Sequence, residues 1–153
     1  MKNILKTFVV TLIAVLTLTG CGSSKSVAYT YNVETGDKVT VELDTTDDHG
    51  LTSKVPFDVY KDDKVLSTGT FIEGKLYDDY VNAIKATSTA IVIDEGKNEN
   101  IEYIFYKADA NGHMEYNYII SIKNSDTGLV LANVLDGDTA KEVFNKLTIK
   151  LAK

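Results

Sequence analysis

Alternation of apolar and polar positions divides the first half of the chain into two pairs of strands. Residues 29–33 alternate, and residues 39–43 repeat the pattern after the turn Thr35-Gly36-Asp37. Residues 55–59 and 65–72 alternate in the same way on either side of a polar turn. Period-two alternation that is interrupted by turns rich in glycine and aspartate is typical of β-hairpins. We therefore predict two hairpins before residue 73.

Two later segments change to apolar positions three and four residues apart, which predicts amphipathic helices. The first covers residues 76–84 and carries two aspartates in its first turn, close to the positive end of the helix dipole. The second covers residues 140–147. Thr139 and Glu142 have the spacing of a capping box at its start. Asp136-Gly137-Asp138 precedes the helix, and we interpret its acids as caps of the free amide groups.

Segments rich in β-branched and aromatic residues lie between and after the helices. They cover residues 89–94, 101–107, 113–123 and 129–135, with residues 148–152 as a final short strand or tail. Asn111-Gly112 is a strong signal for a hairpin turn. The order of hairpins, helix, meander and helix predicts an α+β fold, in which an antiparallel β-sheet packs with about two helices. We expect residues 27–153 to form a single domain.

The N-terminal segment has the three parts of an export signal. Lys2 and Lys6 precede an apolar run, residues 8–18, and the run ends in Leu18-Thr19-Gly20-Cys21. This tetrapeptide resembles the lipobox of bacterial lipoproteins. The uncharged stretch is shorter than the roughly 20 apolar residues that a membrane-spanning helix needs. A buried N-terminal helix and a plain secretory peptide are the alternatives.

The resemblance to lipoproteins implies a cleaved signal peptide of residues 1–20 and a lipid on Cys21. In that family the cysteine sulfur carries a diacylglyceryl group, and its amine often carries a fatty acid such as palmitate. Two or more chains hold a protein stably on a membrane. The resemblance therefore implies a protein anchored to the cell membrane on its extracytoplasmic side, with residues 21–26 as the lipidated cysteine and a flexible tether.

Composition narrows the function of the remaining chain. The formal net charge is −6, and removal of Lys2 and Lys6 with the leader would make it −8. Such an acidic domain disfavours nucleic acid as a partner. The chain contains no arginine, whose planar guanidinium is the usual group that binds phosphate and carboxylate. We therefore do not expect a dedicated phosphate or nucleotide site. Cys21 is its only cysteine, so we expect neither a disulfide nor a thiol nucleophile in the domain.

The C-terminal third resembles a second family on a weaker pattern. The stretches Tyr116-Asn117-Tyr118-Ile119-Ile120, Thr127-Gly128-Leu129-Val130-Leu131 and 140–147 are similar to the end of PsbP-like domains, which close with a strand, a turn, another strand and a helix bearing a phenylalanine. The resemblance implies an αβα-type sandwich in a family of accessory and binding proteins. The metal-binding positions of that family are not recognisable in this chain. A cystatin-like or NTF-like curved sheet is the structural alternative.

Candidate metal ligands are few. His49 and His113 each lie beside a turn and in no metal-binding spacing, so we interpret both as solvated loop histidines. Asp44, Asp47 and Asp48 could supply part of a calcium shell, although they lack the register of an EF-hand. We predict no metal centre and no cofactor, and keep these three aspartates as the weak candidate.

Catalytic motifs are missing, whereas tyrosines are plentiful. The chain has neither a Gly-x-Ser-x-Gly elbow nor a Ser-x-x-Lys motif with its partners, so we do not expect an enzyme. Tyr29 and Tyr31 share one strand face, as do Tyr116 and Tyr118, and such pairs form either a binding surface or cross-strand packing.

The sequence predicts a non-catalytic, membrane-tethered surface lipoprotein that binds a protein partner or an envelope component. The alternative is a small-molecule or metal-ion carrier accessory to a transporter.

Overall fold

The computed structural model describes residues 13–14, 25–133 and 135–152 of the chain. The lipobox Leu18-Thr19-Gly20-Cys21 lies outside the described residues, as does the predicted leader apart from its residues 13 and 14. The first long strand begins at Ser26, and the carbonyl of Lys25 already accepts a hydrogen bond of 2.8 Å from the Thr45 amide.

The described chain contains eleven strands and two α-helices, with one 3-10 turn at Thr46–Asp48. In chain order the elements are β1 (Ile13–Ala14), β2 (Ser26–Asn32), β3 (Lys38–Asp44), β4 (His49–Leu51), β5 (Phe57–Lys61), β6 (Lys64–Glu73), α1 (Leu76–Ala86), β7 (Ala90–Lys97), β8 (Ile101–Ala110), β9 (His113–Ile122), β10 (Thr127–Asn133), α2 (Gly137–Lys146) and β11 (Leu147–Leu151). The predicted α+β class with two helices is confirmed.

The strands form two antiparallel sheets, where the sequence pattern predicted one. The smaller sheet has the order β1-β2-β3-β11, and the larger has the order β4-β5-β6-β10-β9-β8-β7. The last strand, β11, returns to the start of the domain, where Leu147 lies opposite Leu43 of β3. Pairing between the two ends of the chain has no local signature, so periodicity alone could not separate the sheets.

The main core lies between the inner faces of the two sheets and the apolar face of α2. Tyr31 and Val41 of the smaller sheet, Phe57 and Leu131 of the larger sheet and Val143 of α2 are all members of this cluster. Helix α1 covers the other face of the larger sheet, where Ile84 packs with Ile104 and Ile119. Tyr103 and Tyr106 pack into different clusters, so they lie on opposite faces of β8.

Two details of the local structure differ from the sequence predictions. Helix α2 is capped by Asp136, whose carboxylate accepts hydrogen bonds from the amides of Asp138 and Thr139, so the capping box of Thr139 and Glu142 is wrong. The short strand β4 was not predicted, because three residues are too few for alternation to show. No helix in the described ranges is both long enough and apolar enough to cross a membrane.

Candidate functional site

A cleft opens where one end of the smaller sheet meets the larger sheet. It has a volume of about 810 Å³. Its walls come from the end of β2 and the turn after it, the segment before β5, the end of β6 and the turn between β9 and β10. The lining residues are Asn32, Val33, Glu34, Thr35, Val55, Pro56, Thr70, Phe71, Ile72, Glu73, Lys75 and Asp126.

An aromatic cluster supports the floor of this cleft. Phe71 lines the cleft, and its ring centroid lies 5.5 Å from that of Tyr31 and 5.9 Å from that of Phe57. Phe57 is fully buried and stacks on Tyr31 at 5.5 Å. Its ring lies directly over Gly69, where a Cβ atom would come within 2.1 Å of the ring. The absence of a side chain at Gly69 therefore lets the ring of Phe57 lie against β6.

Asp37 ties the turn after β2 to the turn between β9 and β10. One carboxylate oxygen of Asp37 accepts hydrogen bonds from the Ser125 hydroxyl at 2.5 Å, the Asp126 amide at 2.9 Å and the Thr127 hydroxyl at 2.9 Å. The hydroxyls of Ser125 and Thr127 are the main cause that holds the pKa of Asp37 below its ordinary value. We call this arrangement the Asp37 latch, and it holds two walls of the cleft together across some ninety residues of chain.

A second contact fixes the third wall. The Gly74 amide donates a hydrogen bond of 2.6 Å to the carbonyl of Asp126. A Cβ atom at Gly74 would approach the Asp126 carbonyl carbon to 2.9 Å, so the close approach of the two backbones requires glycine. The end of β6 is thereby held against the same turn that the Asp37 latch holds, and the cleft has a preformed frame.

The rim of the cleft is acidic. It carries the carboxylates of Glu34, Glu73 and Asp126 and a single ammonium group, that of Lys75. Lys75 is paired with Glu73. Within the described part of the chain, the carboxylates of Glu34 and Asp126 have neither a hydrogen-bond partner nor an ion-pair partner, and both residues are exposed. Two uncompensated negative charges therefore border an apolar floor.

The tyrosines that the sequence singled out do not form a common surface. Tyr31 and Tyr118 are 1% and 3% exposed, so these two belong to the core and cannot supply a binding surface. Tyr29 and Tyr116 are half-buried and pack against the same core. Tyr31 contacts Phe57, whereas Tyr118 stacks between Phe105 and Phe144 in another part of the sandwich. The alternative interpretation, cross-strand packing, describes Tyr118, which stacks on its β8 neighbour Phe105, whereas Tyr31 packs between the two sheets.

His49 is not a solvated loop histidine, and that prediction is wrong. Its side chain is 1% exposed because β4 directs it beneath α2. Its Nδ1 lies 3.1 Å from the Thr46 carbonyl, and its Nε2 lies 3.5 Å from a carboxylate oxygen of Glu142. The carbonyl only accepts, so Nδ1 carries a proton. His113 is exposed beside its turn, as expected.

Two of the three candidate calcium ligands have partners within the protein. Asp44 accepts a hydrogen bond of 2.8 Å from the Thr46 amide, which is the main cause that lowers its pKa. The carboxylate of Asp47 lies 3.1 Å from the ammonium of Lys146 on α2. Residues 25–133 and 135–152 contain no group of three or more His, Cys, Asp or Glu side chains that could hold a metal ion. Asp44 thus bonds to the start of the 3-10 turn and Asp47 links this turn to α2, and the described structure does not assemble these two residues and Asp48 into a metal site.

Sequence reasoning did not find the cleft. Its lining comes from five separate segments, and the charged residues Glu34 and Asp126 lie in turns, where acidic residues are ordinary. The only local signal was Pro56, the single proline of the chain, which follows a cis peptide bond at the rim. The comparisons add no relative: the chain matches no protein-family model, and no curated protein and no solved structure is significantly similar to it.

Proposed function

We propose that this protein is a non-catalytic lipoprotein, anchored through Cys21 to the extracytoplasmic face of the cell membrane, that binds a protein partner or an envelope component in the cleft. The observation that carries the proposal is the cleft itself, which has an apolar floor on aromatic rings and a rim of exposed carboxylates. Binding sites combine shape, apolar area and a few oriented charges in this way.

The arrangement of the frame supports a binding role. Three walls of the cleft are fixed by hydrogen bonds of Asp37 and Gly74, so a ligand would not have to order them. A preformed site loses less conformational entropy on association than a loose one. The anchor at Cys21 and the short tether would keep the domain close to other envelope proteins.

A small-molecule carrier that serves a transporter is the second candidate. The cleft volume of about 810 Å³ favours it, because ligand pockets of roughly 300–1,000 Å³ hold small organic molecules. The cleft is only partly enclosed, however, whereas pockets for small ligands bury most of the ligand's surface. Openness therefore favours a macromolecular partner.

We also propose that the C-terminal part is related to PsbP-like domains. The support is the order of β9, turn, β10 and α2, together with Phe144 of α2, which packs on Tyr118 at 4.1 Å. A PsbP-like relationship would be consistent with an accessory binding protein and would add no catalytic residue.

Replacement of the proposed lipid acceptor tests the anchor. In Cys21→Ser the sulfur that would carry diacylglycerol is absent, so we expect loss of metabolic labelling by palmitate and transfer of the protein out of the detergent phase in phase partitioning. Ser23→Ala is the matched control, because it changes a neighbouring residue that accepts no lipid. Palmitate incorporation into Cys21→Ser would refute the anchor.

Site-specific photo-crosslinking in cells tests the cleft. A photoreactive residue at Val55, which is 40% exposed at the rim, should give one discrete adduct, since a bound partner would cover this position. The control position is Ile91 on β7, an apolar residue that is 55% exposed and lies outside the cleft. Equal adducts at Val55 and Ile91, or none at Val55, would show that the cleft is not the binding site.

A further inference from the structure

The uncompensated charges of the rim restrict what the cleft can hold. We propose that its occupant is an extended apolar segment of a partner polypeptide that carries lysine or arginine. This inference rests on the proposed function, because it identifies the chemistry of the partner that the cleft binds.

The charge of the occupant follows from Glu34 and Asp126. Both carboxylates border an apolar floor and lack a partner among the described residues, and the one ammonium of the rim is already paired with Glu73. A ligand that covers the floor also removes water from the rim, which strengthens charge interactions there. A positive group gains from both carboxylates, whereas a negative group meets two like charges. The cleft therefore selects a cation with an apolar body.

The geometry of β2 indicates that the apolar part of the ligand is a polypeptide. The Val33 amide donates to the carbonyl of Asp37 at 3.1 Å, and the Thr45 amide donates to the carbonyl of Lys25 at 2.8 Å. Antiparallel pairs alternate between bonded and non-bonded positions. The odd-numbered residues of β2 therefore bond to β3. The backbone groups of the even-numbered residues Ala28 and Thr30 are directed away from β3, toward the edge of the sheet.

An extended apolar segment already occupies part of this edge. Ile13 lies opposite Thr30 and Ala14 lies opposite Tyr29 in an antiparallel pair. Under the proposed function the leader that contains β1 is removed, which leaves the edge of β2 open. Strand addition to an open edge is a common mode of peptide recognition. Because β2 ends in the cleft wall at Asn32, a peptide strand that extends along this edge past residue 32 would reach the cleft.

Peptide binding to the membrane-extracted protein in phosphatidylcholine vesicles tests the inference. The probes are three fluorescent nine-residue peptides, with alternating Val and Lys, alternating Val and Glu, or alternating Ser and Lys. We expect the Val/Lys peptide to bind at least tenfold more tightly than the other two. Glu34→Gln combined with Asp126→Asn should weaken it about tenfold, since two partly exposed ion pairs contribute modestly each.

Two matched controls distinguish a loss of binding at the cleft from an effect of net charge and from a change in the fold. Asp62→Asn with Asp63→Asn removes the same charge from the β5–β6 turn, about 15 Å of strand away from the cleft, and should leave binding unchanged. Ala28→Pro removes an edge amide that bonds to no strand of the mature domain and should reduce binding, whereas Ala28→Val should not. Thermal unfolding of each variant verifies that it is folded.

Several results would overturn the inference. Three of them are equal binding of the Val/Glu peptide, equal weakening by the Asp62 and Asp63 replacements, and full binding by Ala28→Pro. The fourth is displacement of the peptide by dodecylamine at equal affinity, because it would indicate that the ligand is a small amine. Each would leave the crosslinking result at Val55 unaffected. A cleft that crosslinks a partner but binds none of these peptides therefore contradicts only the inferred chemistry, and a cleft that gives no adduct contradicts the proposed function.

Discussion

Phe57→Ala is expected to lower the free energy of unfolding by about 3–5 kcal/mol, the usual range for a phenylalanine removed from a core. Phe57 is fully buried, stacks on Tyr31 and packs against Phe71. Its loss leaves a cavity that the sheet cannot close, because the facing position on β6 is Gly69. Urea unfolding followed by circular dichroism measures the change. The same substitution removes support from the floor of the cleft, so peptide binding should weaken with it.

The Phe57–Gly69 pair allows a sharper test through a double-mutant cycle. Gly69→Val alone should destabilise the protein, because the new side chain would meet the ring of Phe57. In the Phe57→Ala background the same valine should lower the free energy of unfolding much less, since its side chain fills the cavity. Additive effects of the two substitutions would contradict the close packing of this ring. Val55→Ala, at a position 40% exposed, is the control and should change stability by less than about 1 kcal/mol.

Asp37→Asn should destabilise the protein by about 1–3 kcal/mol at neutral pH. The amide accepts fewer hydrogen bonds than the carboxylate and loses its charge, and hydrogen bonds to charged groups contribute more than neutral ones. Ser125, Asp126 and Thr127 would lose part of their shared acceptor. Asp62→Asn, in the turn between β5 and β6, is the matched control and should lie within about 0.5 kcal/mol of the parent. Equal stability of the two variants would show that the Asp37 latch contributes nothing.

The pH dependence of stability gives the Asp37 latch a second signature. Its hydrogen bonds hold the pKa of Asp37 in the folded protein below the ordinary value of 3.8. A lowered folded pKa means that the unfolded state binds the proton first, so the stabilisation is present above about pH 5 and is lost as the pH falls through the folded pKa. The parent should therefore lose more stability than Asp37→Asn between about pH 5 and 2. Asp44 and Asp136 also have lowered pKa values. Both residues are present in the parent and in Asp37→Asn, so their contributions cancel when the two proteins are compared.

Local patterns predicted most of the secondary structure. The hairpin of β2 and β3, the helix α1 and the Asn111-Gly112 turn follow from side-chain periodicity and from residues that tolerate positive φ, with Asn111 at 56° and Gly112 at 84°. These signals depend on neighbours along the chain, so a single sequence contains them. The sequence offered two caps for α2, the acids at 136–138 and Thr139, and only the backbone geometry shows that Asp136 is the cap.

The sequence by itself determined the α+β class, the turns and the acidic, cysteine-poor character of the domain, because all of these are properties of composition or of short windows. Tertiary structure alone decided that β11 pairs with β3 in a second sheet, that His49 is buried beneath α2 and that Asp37 bonds to Thr127. It also decided that Glu34 and Asp126 border one cleft. These relations join residues far apart in the chain, and the pairing of distant strands depends on the packing of the whole core rather than on any local pattern.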